Sequence, residues 1–205
     1  MPATNEDLHG SAPDKSDIAL LLIDVINDMN FEGGEQLLKH ALPMAERIVA
    51  LKAAANRRGI PTIYVNDNFG KWRSDLKQTL EHCLRPDCRG KRVAELLRPD
   101  KDDYFVLKPK HSGFFSTTLD ILLEYLQVKT LLLTGIAGNN CVLFTANDAY
   151  MRDFNLVVPA DCVVSIGSEE NEFALKQMQK VLKADITPST ELNFDRLKTE
   201  PKKPG

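Results

Sequence analysis

Cys141, preceded by Asn139-Asn140, follows the apolar run Leu131-Leu132-Leu133-Thr134-Gly135-Ile136-Ala137-Gly138. It opens a segment, Cys141 to Arg152, that reads as a helix capped by Asn139 or Asn140. The thiol is therefore expected on a first helical turn at the carboxyl end of a strand. Unpaired backbone N–H groups and the positive end of the helix dipole favour thiolate there. A sulfur that attacks a carbonyl also needs a base and a stabiliser for the oxyanion.

Two further residues fit those needs. Asp24 follows the apolar stretch Ile18 to Ile23. A carboxylate among apolar neighbours has a raised pKa unless paired, and it can take a thiol proton and return it to a leaving nitrogen. Alone, an aspartate after a strand more often caps a turn, and Asp28 reads that way. Lys108 follows another apolar stretch, in Val106-Leu107-Lys108-Pro109-Lys110-His111-Ser112-Gly113-Phe114-Phe115. An ammonium there favours both the thiolate and the ionised carboxylate. Alone, such a lysine is usually solvated. Lys110 competes with it, and a lone loop histidine such as His111 is no specific signal for a base.

The hydrophobic pattern supplies elements able to gather these groups. Ile18 to Ile23, Ile60 to Val65, Tyr104 to Leu107, Thr130 to Thr134, Asn155 to Val158 and Ala184 to Ile186 read as strands. Helices are expected over Leu37 to Arg58, near Val93 to Leu97, over Thr117 to Leu126, from Cys141, and over Glu169 to Val181. In the first helix, Leu38, Leu42, Ala45, Ile48 and Val49 form the apolar face and Lys52 points outward. Pro43 must start or kink this helix, and Gly59 stops it.

Strands alternating with helices predict an α/β fold: three layers, αβα, around an open, mostly parallel, six-stranded Rossmann-like sheet. The domain is expected over residues 17–198, with a flexible arm at 1–16 and a flexible tail at 199–205. Ligands of such sheets bind at the carboxyl ends of the strands, where strand order reverses. Asp24, Asn66, Asp67, Lys108, Cys141 and Asp161 all lie just past strand ends.

Composition narrows the function. The 205 residues suffice for one well-buried core, and 43% apolar content is ordinary for a globular protein. A net charge of -3 gives no reason to expect a nucleic-acid partner. No apolar stretch is long enough to cross a bilayer. Met1 to Lys15 is polar without an apolar signal core, so the expectation is a cytoplasmic protein with no membrane partner. The absence of a Gly-x-Gly-x-x-Gly after the first strand, and of a Walker-type loop, argues against dinucleotide and ATP cofactors. Cys83 and Cys88 lack zinc-site spacing and read as incidental thiols, and Cys162 reads as a small buried hydrophobe.

Three segments, in order, resemble the isochorismatase-like cysteine hydrolase superfamily. They are Leu20-Leu21-Leu22-Ile23-Asp24; Lys108-Pro-Lys-His-Ser112-Gly-Phe-Phe-Ser-Thr117-Thr-Leu119; and Gly135-Ile-Ala-Gly-Asn-Asn-Cys141-Val-Leu-Phe-Thr145-Ala-Asn-Asp148-Ala149. The order and spacing hold from about Ile18 to Ile186. The resemblance implies a catalytic triad of Asp24, Lys108 and Cys141, and its Ser-Gly-Phe-Phe offset selects Lys108 over Lys110. It also implies a cis peptide at Ile136-Ala137, with the Ala137 and Cys141 N–H groups forming an oxyanion hole, and assembly into homo-oligomers, here a dimer or tetramer.

The chain also departs from the family pattern. Nicotinamidases carry a metal-binding Asp-x-His after the second strand, where this chain reads Asn66-Asp67-Asn68-Phe69-Gly70-Lys71-Trp72. No catalytic metal and no other cofactor is therefore expected. Gly138 stands where many members have threonine, which would loosen the turn before the helix. Phe31, Asn66, Trp72 and Phe114 are candidates for contacts with a small-molecule substrate, although an asparagine after a strand serves a turn equally often and a phenylalanine is more often plain core.

The leading expectation is an amidase-type hydrolase cleaving a C–N bond of a small amide, ureide or imide. Cys141 forms a thioester, and Asp24 protonates the leaving nitrogen and then activates water. The alternatives are isochorismate-type vinyl ether hydrolysis, in which the acid matters and the thiol is dispensable, and a non-catalytic binding or redox-responsive scaffold.

Overall fold

The computed structural model describes residues 14–68 and 75–197. Every residue of β1 (Ile18–Ile23) is fully buried. The reason is its central place. It pairs in parallel with β2 (Thr62–Asp67) on one side and with β4 (Thr130–Ile136) on the other. β3 (Tyr104–Lys108) lies outside β2, and β5 (Asn155–Val157) lies outside β4. β6 (Val163–Val164) also pairs with β4. The chain runs outward through β2 and β3, then returns to the far side of β1 as β4, so strand order reverses between β1 and β4. A crevice at their carboxyl ends is where an α/β sheet of this kind binds ligands.

Alternate residues of β1 feed two cores. Ile18, Leu20 and Leu22 pack with α1 (Gly34–Asn56), α2 (Leu76–Cys83), α3 (Lys91–Leu96) and α7 (Phe194–Leu197). Ala19, Leu21 and Ile23 pack with α4 (Leu119–Leu126), α5 (Leu143–Tyr150) and α6 (Ser168–Val181). Full burial of a leucine or isoleucine contributes about 1.5–3 kcal/mol, so a strand covered on both faces favours an unbroken apolar run.

The three-layer architecture is as expected, with local corrections. The sixth strand is Val163–Val164, not Ala184 to Ile186, which makes only a bridge from Asp185 to Val157. β5 pairs with Thr130–Leu132 alone, and β6 covers the open end of β4 at Gly135 and Ile136. The buried face of α1 is offset from the expected one and runs through Leu37, Ala41, Met44, Ile48, Leu51 and Ala55. Lys52 belongs to that buried face because Asp100, Asp103 and the Tyr64 hydroxyl receive it at 2.8, 2.5 and 3.3 Å. Pro43 sits inside α1 on the exposed side, where water can satisfy the carbonyl left without an N–H partner.

The short helix α2 was not legible in the sequence. It is capped by Asp75, whose carboxylate accepts the Gln78 N–H at 2.7 Å. Part of the expected N-terminal arm is held in place: Asp14 accepts the Tyr104 hydroxyl at 2.6 Å, and the Ser16 N–H donates to the Leu126 carbonyl at 3.0 Å. Residues 1–13 and the tail from 198 lie outside the described residues. No helix among the described residues is long and apolar enough to cross a membrane.

Candidate active site

Asp24, Lys108 and Cys141 meet at the carboxyl ends of β1, β3 and β4. Lys108 is the last residue of β3 and is fully buried. Its Nζ lies 2.8 Å from Asp24 Oδ2, 3.5 Å from Cys141 Sγ, 3.2 Å from the Lys110 carbonyl and 3.6 Å from Asp67 Oδ2. Asp24 leaves β1 in the left-handed region, with φ 50°, a conformation that aspartate adopts more readily than most residues. Its other oxygen accepts the Asp67 N–H at 2.6 Å. The Asp24 carboxylate and the Lys108 ammonium are the charges that act on the Cys141 thiol.

The electrostatics correct the expectation of a resting thiolate. Burial, then the neighbouring Asp24 charge, push the Cys141 thiol up to about 12, and Lys108 only partly opposes them. Burial also raises the Asp24 carboxyl, against the lowering pull of Lys108, Cys141 and the Asp67 N–H. For Lys108, burial disfavours the charged form, but Asp24, Cys141 and Asp67 outweigh it and the ammonium is held above its ordinary value. The resting thiol therefore keeps its proton.

The helix around Cys141 also starts earlier than expected. A π-helical turn, Gly138–Val142, precedes α5, with Ala137 at its N-terminal boundary. Neither Asn139 nor Asn140 caps it. The Asn140 and Val142 N–H groups both donate to the Ala137 carbonyl, at 3.0 and 3.1 Å. The Ile136–Ala137 peptide is cis.

Side chains that sequence reasoning missed hold this turn. The Thr145 hydroxyl donates to the Cys141 carbonyl at 2.7 Å and accepts the Gly113 N–H at 3.0 Å, tying the Lys108 loop to the nucleophile turn. The Asn139 N–H donates to Ser165 Oγ at 3.1 Å. Ser165 in turn donates to Asn171 Oδ1 at 3.0 Å, and Asn171 Nδ2 donates to the Val163 carbonyl at 3.1 Å. A Cβ on Gly138 would lie 2.2 Å from Asn171 Oδ1. The glycine thus makes room for the Asn171 carboxamide, and the turn is held rather than loosened. Thr145 lies within the third motif, so its position carried a signal; nothing in the local sequence marked Ser165 or Asn171.

The triad opens onto a cavity of about 590 Å³. Asp24, Ala137 and Cys141 form its reactive wall, Asn27, Asn139 and Asn140 add amides, and Phe31, Leu37, Ile136, Phe144 and Ile166 form an apolar wall.

The isochorismatase domain profile matches residues 18–190. The chain belongs to the isochorismatase family. It is 45% identical over 178 residues to the uncharacterised isochorismatase family protein YaaI of Bacillus subtilis, covering 87% of this chain and 97% of that one. It is 29% identical over 194 residues to the ureidoacrylate amidohydrolase RutB of Methylorubrum extorquens, covering 82% and 76% respectively. Among solved structures, the N-carbamoylsarcosine amidase of Thermoplasma acidophilum superposes with a TM-score of 0.66 at 25% identity, over 87% of this chain and 99% of that one.

Within this isochorismatase-family site the secondary candidates separate. Phe31 lines the cavity. Asn66 does not: its fully buried side chain accepts the Ile26 N–H at 3.1 Å and donates to the Ile26 carbonyl at 3.0 Å, so it clamps the segment after β1. Phe114 is core, because its ring packs against Phe154 and Arg152 in the second apolar cluster. Trp72 lies outside the described residues.

Among the described residues, no three His, Cys, Asp or Glu side chains converge to hold a metal ion. Asp67 faces the Lys108 ammonium and His82 Nε2 lies 3.0 Å from Asp28 Oδ2, so the described donors do not fit a nicotinamidase-type metal.

Proposed function

We propose that this protein is an amidase-type cysteine hydrolase that cleaves a C–N bond of a small amide, ureide or imide through a Cys141 thioester. The observation that carries the reading is the convergence of Cys141 and Asp24 on Lys108, whose Nζ lies 3.5 Å from the sulfur and 2.8 Å from the carboxylate, with a cavity in front. Attack by Sγ on the carbonyl carbon is coupled to transfer of its proton to Asp24, because a thiol held near 12 does not ionise unaided near neutral pH. The Ala137 and Cys141 N–H groups receive the oxyanion. Collapse breaks the C–N bond, Asp24 delivers the proton to the departing nitrogen, and water hydrolyses the thioester. Lys108 keeps the carboxylate available as a base and offsets the negative charge that develops on sulfur and oxygen. The amidohydrolases among the relatives support this reading.

The test is ammonia release from a panel of small amides, ureides and imides. Cys141→Ala is expected to abolish turnover while the circular dichroism spectrum and Tm are retained. Full activity in that variant would sink the thioester mechanism. An Asp24→Asn variant that dies while Cys141→Ala stays active would instead select vinyl ether hydrolysis. The reading also includes assembly into a dimer or tetramer. Phe173 and Met151, each 70% exposed, are apolar surface that self-association would cover. Light scattering that shows only monomer at micromolar concentration would remove this part.

A further inference from the structure

The Asp24 carboxylate is crowded on its buried side. One oxygen accepts the Asp67 N–H at 2.6 Å, the other meets Lys108 Nζ at 2.8 Å, and Asp24 is only 5% exposed. Both oxygens are thus engaged, and little of the group is open to water. The solvent side of Cys141 is different. His111 is exposed, and its Nδ1 lies 4.0 Å from Cys141 Sγ. Its ring packs against Phe144, with centroids 5.3 Å apart, and Phe144 lines the cavity. Asp24 and Lys108 thus flank the sulfur from the buried side, and His111 flanks it from the exposed side.

We propose that His111 is a catalytic residue of the second half-reaction: Nδ1 takes the proton of the water that cleaves the Cys141 thioester. The proposal rests on the amidase reading and moves water activation from Asp24 to His111. With its own proton on Nε2, the imidazole presents a free lone pair at Nδ1. The water oxygen bonds to the thioester carbon while its proton passes to Nδ1. The C–S bond then breaks, its electron pair stays on Sγ, and the imidazolium returns the proton to Sγ. The carboxylic acid leaves, and both thiol and neutral imidazole are restored. Asp24 serves acylation, where a leaving nitrogen must be protonated, and His111 serves deacylation.

The probe is p-nitrophenyl acetate, whose leaving group needs no protonation, so acylation and water attack separate in time. The wild type should acetylate at Cys141 and turn over. His111→Gln, and His111→Phe, which keeps a ring against Phe144, should release the first equivalent of nitrophenolate as fast as wild type. Their steady-state rate should fall by about 10- to 100-fold, and intact mass should show the acetyl-enzyme accumulating. Hydroxylamine, which needs no base to attack a thioester, should restore their turnover. Variants that keep the wild-type steady rate without accumulating acetyl-enzyme would overturn the role of His111 and return water activation to Asp24. Wild-type protein that never acetylates at Cys141, and whose Cys141→Ala variant behaves identically, would overturn the amidase reading itself and this proposal with it.

Discussion

Lys52 and Lys108 are both buried ammonium groups, each facing two aspartates, at opposite ends of β3. Lys52 meets Asp100 and Asp103 at 2.8 and 2.5 Å, just before the strand begins. Lys108, which ends the strand, meets Asp24 and Asp67 at 2.8 and 3.6 Å. Burial works against both charges, and the aspartates outweigh it in both. The third neighbour makes the difference. At Lys52 it is the Tyr64 hydroxyl, which burial pushes up to about 12. That hydroxyl is fully buried within the first core. At Lys108 it is the Cys141 thiol, which lines a cavity. A buried lysine–aspartate cluster is thus no site by itself. It becomes one where a nucleophile competes for the same proton and a ligand can approach.

The comparison breaks most visibly on charge removal. Lys108→Met should lower kcat/KM by about 10²–10³-fold, because one preorganised charge at the reacting atoms is lost. Lys52→Met should leave kcat/KM within about threefold but cost about 3–5 kcal/mol of unfolding free energy in urea, since Asp103 loses its buried partner. A folded Lys52→Met protein without activity would erase the distinction.

The pH profile sharpens it. Asp24 must be ionised to take the thiol proton, and burial holds its pKa above 3.8. The quantity kcat/KM should therefore fall about tenfold per pH unit below that raised value. Lys108 is held above 10.5 and Cys141 near 12, so neither group produces an alkaline limb below pH 10.5. An alkaline limb near pH 8 that moves in Lys108→Met would contradict these assignments.

Stability has its own sign. Lys52 and Lys108 are raised in the folded state, so their stabilising contribution is full below 10.5 and is lost as pH rises through the folded values. Tm should drop above pH 10.5, and by less in Lys52→Met.

The smallest effect concerns the nucleophile turn. Asn171→Ala should lower kcat by about tenfold with KM unchanged, because the turn loses its tether without losing substrate contacts. Gly138→Thr should cost more, and adding Asn171→Ala should recover part of that loss by removing the clashing carboxamide. Recovery in the double variant, read as kcat, is an outcome that mere destabilisation would not produce.

Much of the site was legible because its parts sit at strand ends. A strand buried on both faces is a continuous apolar run, so β1 and β4 announced themselves, and Asp24 and Cys141 with them. Other features depended on partners remote in sequence. Helical spacing points Lys52 outward, because nothing near it in the chain shows that Asp100 and Asp103 receive it. Asn66 and Phe114 were read as contacts for a substrate, and the fold turns one onto Ile26 and the other into the second core. The sixth strand was misplaced because two residues, Val163 and Val164, carry no periodicity, and they pair only where β4 outruns β5.

On its own, the sequence determined the layered α/β class and the family and singled out Asp24, Lys108 and Cys141, since each follows from local pattern and motif spacing. Tertiary structure alone decided the protonation state of the nucleophile. The motif suggests thiolate at a helix start, but desolvation and the Asp24 charge outweigh Lys108 and hold Cys141 as a thiol. It also decided that Gly138 makes room for Asn171 and that His111 stands 4.0 Å from the sulfur. Burial and charge at a point are sums over groups brought together from distant parts of the chain, and no stretch of sequence contains that sum.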